Sequence, residues 1–91
     1  MSVSMVNQTN QVGFMLTKEQ CRAARGWLDW SQGELAENVK VNRKTVADFE
    51  RGVSVPHDRT LRDVKLALEA AGIELLFDGA RGVGVRVRTP G

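Results

Sequence analysis

Apolar residues recur three and four apart through Cys21, Ala24 and Leu28, the period of a helix buried along one face. Thr17 with Gln20 three residues on forms a capping box at its start, and Leu16 is placed as a hydrophobic staple. Gly26 and Asp29 weaken its later part, which predicts a stop near Asp29. A second capping box, Ser31 with Glu34, opens a short helix carrying Leu35, Ala36 and Val39. Asn42 caps a third, with Thr45, Val46 and Phe49 inside it and Gly52 as the stop. A fourth helix follows Pro56 from about Asp58, with Leu61, Val64, Leu68 and Ala71 on one face, Leu66 and Ala67 widening it, and Gly72 ending it. The period then switches to two. Ile73, Leu75 and Phe77 alternate with Glu74, Leu76 and Asp78, a turn begins at Asp78-Gly79, and Val83, Val85 and Val87 alternate with Gly84, Arg86 and Arg88. A β-hairpin is expected.

Only Lys40 and Val41 separate the second helix from the cap of the third, so the two must cross steeply, with helix-turn-helix spacing. At 91 residues and 42% hydrophobic, the chain fits one compact, mainly α domain. Residues 1–15 read as a flexible, polar N-terminal arm, 16–72 as the helical unit, and 73–91 as the hairpin extension and tail. A formal net charge of +2 argues against coating nucleic acid by bulk charge and puts the weight on where the cations sit. Cys21 and His57 are the single residues of their kinds, which excludes a disulfide framework and a Cys/His zinc site within one chain. No apolar run reaches the roughly 20 residues of a membrane span, and the first fifteen residues lack the pattern of a signal peptide. A cytoplasmic, cofactor-free and metal-free protein is the expectation. Paired catalytic carboxylates, a nucleophile with its base and a phosphate-cradling glycine loop are not evident, which argues against an enzyme.

The stretch SQGELAENVKVNRKTVADFERG, then Pro56 and TLRDVKLALEAAG, resembles the phage-repressor and Cro-like helix-turn-helix proteins of the Xre family, over about residues 16–72. Gln32, Leu35-Ala36, Val41, Thr45-Val46 and Glu50-Arg51-Gly52 carry that resemblance jointly. It implies a bundle of four or five helices, here with a C-terminal β-hairpin, whose third helix enters the major groove while the second crosses the phosphate backbone. It also implies a structural ion pair between Arg25, seven residues before Gln32, and Glu50.

On that docking, Arg43 and Lys44 open the recognition helix as candidate base readers, arginine pairing bidentately with guanine. Ala47 is placed to touch a thymine methyl. Asp48 either accepts from cytosine N4 or pairs with Lys44 at i,i+4. The resemblance makes Gln32 a phosphate clamp at a helix N-terminus, and Asn42, Thr45, Arg51 and Lys40 are further candidate phosphate contacts. Lys40 stands where the family usually has glycine, so a left-handed turn there would cost about 1–2 kcal/mol. Trp27 and Trp30 read as packing at the junction of the first two helices rather than as base-stacking groups. Arg81, Arg86 and Arg88, with no acid after Asp78, keep an exposed edge soluble or touch phosphates.

A lone hairpin is marginally stable and needs a partner surface, either its own helices or a second hairpin across a two-fold axis, the dimer being preferred. The resulting expectation is a homodimeric repressor that occludes a double-stranded DNA operator. The alternative is a protein-interaction module, an antiactivator or antitoxin, that binds a protein partner with the same fold.

Overall fold

The computed structural model describes residues 15–88; positions 1–14 of the expected arm and 89–91 of the tail lie outside them. Four helices, α1 (Lys18–Leu28), α2 (Gln32–Val39), α3 (Arg43–Glu50) and α4 (Asp58–Ala70), precede an antiparallel hairpin of β1 (Ile73–Asp78) and β2 (Arg81–Val87). The described residues thus contain four helices rather than five.

Each of the first three helices begins on a side-chain cap. Thr17 and Ser31 close full capping boxes with Gln20 and Glu34, and the Asn42 side chain accepts from the Thr45 N–H. Their ends use left-handed residues, which let an N–H reach back five positions to an otherwise unpaired carbonyl. Asp29 at φ 59 brings the Trp30 N–H to the Arg25 carbonyl, and Lys40 at φ 61 brings that of Val41 to Ala36. Lys40 therefore adopts the conformation that glycine would adopt without strain, and the tight connection between α2 and α3 is preserved.

The apolar stripes converge on one core. Ala24, Leu35, Leu68 and Ile73 are completely buried, with Cys21, Ala36, Val46, Phe49, Leu61 and Val64 around them. Burying each large aliphatic side chain contributes about 1.5–3 kcal/mol. Two expectations about that core are corrected. Leu66 does not widen the face of α4: at about 100° per residue it lies nearly opposite the Leu61, Val64 and Leu68 stripe, and it is exposed, while Ala67 sits at the margin. Trp27 is not junction packing. It is rotated about 100° from Leu28 and is 66% exposed, whereas Trp30 packs against the core.

The hairpin docks on its own helices, β1 against α4 and β2 against α1, with Ile73 and Leu75 buried in the core. Its two-residue loop leads with Gly79 at φ 64. The three valines do not share one inward face. Leu76 pairs with Gly84 but Phe77 with Gly82, so Val83 is an extra, unpaired residue in a β-bulge and turns outward. Val85 is half-buried, and Val83 and Val87 are exposed. Arg86 has an acid after all, across the strands at Glu74, 2.7 Å away, and Arg88 donates to the Glu69 carbonyl.

Gln20 ties the bulge to α1. Its Oε1 accepts from the Thr17 N–H at 3.0 Å, and its Nε2 donates to the Leu76 and Gly84 carbonyls at 2.8 and 3.0 Å. Gly82 leaves the room this needs, since a Cβ there would stand 2.2 Å from Gln20 Oε1. Gly82→Ala is therefore expected to expel the buried amide and destabilise the fold by about 3 kcal/mol, read from the urea midpoint. Lys40→Gly is expected to do the reverse. Relief of the left-handed strain outweighs the entropy glycine adds to the unfolded chain, for a gain of about 0.5–1 kcal/mol in the same assay.

Candidate nucleic-acid interface

The first three helices meet at one buried carboxylate, Glu50, at the end of α3. Glu50 is 2% exposed and accepts from four groups on two other helices. Arg25 meets it bidentately, Nε to Oε2 at 2.9 Å and Nη2 to Oε1 at 2.7 Å. Gln32 Nε2 donates to Oε1 at 3.1 Å, and the Cys21 thiol donates to Oε2 at 3.2 Å. Arg22 adds a bond to the Glu50 backbone carbonyl, and Arg25 also holds the Trp30 carbonyl at 2.8 Å.

Burial pushes the Glu50 carboxyl up, but the bonds from Arg25, Gln32 and Cys21 outweigh it and hold the group below the ordinary carboxylate value. The same pocket drives the Cys21 thiol far up, chiefly by burial and then by its bond to Glu50, so Cys21 is a neutral donor and not a nucleophile. The sequence offered no local sign of the bonds from Gln32 and Cys21, because every partner lies on a different helix.

On the exposed side, Gln32, Arg43, Lys44, Ala47, Asp48 and Arg51 line one open groove between the start of α2 and the length of α3. Arg43 is exposed, and its stem passes over Gly33. Asp48 is almost covered. Lys44 Nζ lies 2.7 Å from Oδ2 and Arg51 Nη2 lies 2.7 Å from Oδ1, so both carboxylate oxygens are engaged. The Lys44 hydrogen bond, then that of Arg51, holds the Asp48 carboxyl below its ordinary value. The i,i+3 spacing of Asp48 and Arg51 was the available signal for this second partner.

The remaining candidates lie apart from that groove. Asn42 and Thr45 line a neighbouring cleft with the connector and the start of α4, from Ser54 to Thr60, and Lys44 and Asp48 stand between the two, lining both. Asn42 Oδ1 is committed to the Thr45 N–H and hydroxyl at 3.1 and 3.2 Å, which leaves its amide nitrogen as the group able to donate elsewhere. Lys40 is exposed at the end of α2 and lines neither concavity. His57 precedes α4 without a side-chain cap bond, and no group of acids, histidines or cysteine among the described residues is spaced to hold a metal. No described helix is long and apolar enough to cross a membrane.

In comparisons with known proteins, the family model described as helix-turn-helix matches residues 22–70, a span that begins within α1 and ends with α4. No curated protein matched the chain.

Because the Glu50 carboxyl is depressed on folding, its contribution to stability is complete above the ordinary value of 4.5 and is lost as pH falls through the lower folded value. Urea midpoints measured from pH 7 down to pH 3 are expected to drop across that window. Glu50→Gln is expected to flatten the acid limb and, by leaving Arg25 half-buried and unmatched, to lower stability at pH 7 by about 3 kcal/mol. An unchanged acid limb in Glu50→Gln would place the controlling carboxylate elsewhere.

Proposed function

Since the chain belongs to the helix-turn-helix family of the Xre, Cro and phage-repressor type, a family of DNA-binding regulators, we propose that it binds a specific double-stranded DNA operator and represses transcription by occluding it. The observation that carries this reading is the groove itself. It joins Arg43, Lys44 and Ala47 of α3 to Gln32 at the N-terminus of α2, so base-reading and phosphate-holding groups share one surface.

In this reading α3 lies in the major groove. Arg43, with no carboxylate bound to it among the described residues, pairs with guanine O6 and N7, Lys44 donates to a neighbouring acceptor, and Ala47 packs on a thymine methyl. Asp48 reaches base edges only together with the two cations it holds. Gln32 spends one amide hydrogen on Glu50 and points the other to a phosphate, assisted by the α2 N-terminus. Arg51, Lys40, Asn42 through its amide nitrogen and Thr45 supply further phosphate contacts. The chain acts as a cytoplasmic homodimer, the hairpin of residues 73–88 offering the exposed Val83 and Val87 and its strand edges to a second copy, so the operator carries two symmetric half-sites.

The test is selection of bound sequences from a random duplex pool at a fixed salt concentration, followed by Arg43→Ala/Lys44→Ala. Each good bidentate base contact carries about 1–3 kcal/mol, so the double variant is expected to lose specific binding by 100-fold or so while keeping its unfolding midpoint. Equal enrichment of all sequences by the wild-type chain would replace this reading with a protein-interaction module, for which the exposed Trp27 is the leading surface residue.

A further inference from the structure

The recognition helix carries three cations on its outer side, Arg43 and Lys44 at its start and Arg51 just beyond its end, and two of them share a single acid. Lys44 and Arg51 stand on opposite oxygens of Asp48, each at 2.7 Å, and both are mostly exposed, at 78% and 65%, while the Asp48 side chain is 12% exposed. Two positive charges and one negative leave the triad at +1. Arg43, the remaining cation of the groove, has no such partner among the described residues, and its stem lies over Gly33.

Non-specific attachment to DNA depends on how many cations meet phosphates, whereas reading a base edge depends on where a donor is held. The triad weakens the first and sharpens the second. Its carboxylate subtracts one charge from the face that approaches the phosphates. It also restrains the Lys44 ammonium, otherwise a point charge on a freely rotating four-carbon stem, while leaving two of its three N–H donors for a base. Arg51 is braced in the same way at the other oxygen. The Asp48 backbone does separate work, its carbonyl accepting from the Val53 and Ser54 N–H groups at 2.8 and 3.4 Å, and a side-chain substitution leaves those bonds in place.

We infer that Asp48 is a specificity-determining residue: by binding Lys44 and Arg51 together, it suppresses attachment to arbitrary DNA and fixes Lys44 for base reading. This rests on the DNA-binding reading above and adds to it a role that neither a base contact nor a simple ion pair supplies.

The experiment compares the wild-type chain with Asp48→Asn, with Asp48→Ser as a second uncharged variant and Asp48→Glu as the charge-retaining one. Each is titrated against the duplex selected by the wild-type chain and against a scrambled duplex of equal length, over a series of salt concentrations. The uncharged variants are expected to bind the scrambled duplex more tightly, with a log–log salt slope steeper by about one. Their ratio of selected to scrambled affinity is expected to fall by about tenfold, and Asp48→Glu is expected to restore most of it. A merely structural role would weaken both duplexes together and would not tighten the scrambled one. Uncharged variants that keep the wild-type ratio overturn the inference and leave the DNA-binding reading standing. A wild-type chain that selects no duplex from the random pool overturns both.

Discussion

The helix-turn-helix of this protein is held together by a requirement of electrostatics: the Glu50 carboxylate is buried at the end of α3, and a buried charge must be matched on every side. Arg25, Gln32 and Cys21 do this from α1 and α2, so satisfying one carboxylate sets the relative placement of three helices. Replacing the whole cluster by apolar groups would sacrifice little net stability, because desolvation offsets most of the Coulomb gain. What the cluster supplies is position. A hydrocarbon contact tolerates sliding of one helix on another, whereas a bidentate guanidinium contact does not. Gln32, at the edge of the outward groove, inherits its orientation from this interior network.

A comparable device joins the hairpin to the bundle. Gln20 completes the capping box of α1 and spends its remaining donors on two carbonyls of the β-bulge, so the first turn of the helix and the irregular part of the sheet are one hydrogen-bonded unit. A two-stranded sheet is marginal alone. Here its inner face contributes Ile73 and Leu75 to the core, and the bulge that would otherwise leave carbonyls unpaired is satisfied by the buried amide. The exposed side of α3 follows a different logic. There Lys44 and Arg51 share Asp48 while Arg43 stands outside that cluster, and because the cations are exposed, where solvent screens them, these pairs contribute little to stability.

How much of this was legible in the sequence varies from residue to residue. The capping residues Thr17, Ser31 and Asn42 announced the helix starts because a cap is a contact over three positions of chain. The pairing of Asp48 with Lys44 had the same local origin, as did the turn at Gly79. The Arg25 and Glu50 pair came only through the family resemblance, since nothing in a separation of 25 positions identifies two charges as neighbours. Trp27, Leu66 and Val83 were misplaced for different reasons. Leu66 stands opposite the stripe that the helical period itself defines, Trp27 stands at the margin of one, where periodicity does not say how far the covering layer reaches, and at Val83 a bulge shifts the phase of alternation without marking itself.

By itself, then, the sequence determined the order, the approximate limits and the type of every described element, together with the short connection between α2 and α3. Caps, stripes and turn residues act over a few positions, where chain connectivity already brings the groups together. Only the tertiary structure decided that Gln20 clamps the hairpin, that Gln32 and Cys21 serve Glu50, and that Gly82 makes room for the Gln20 side chain. Those contacts join groups the chain leaves far apart, and they exist only once packing has removed the water that would otherwise satisfy them.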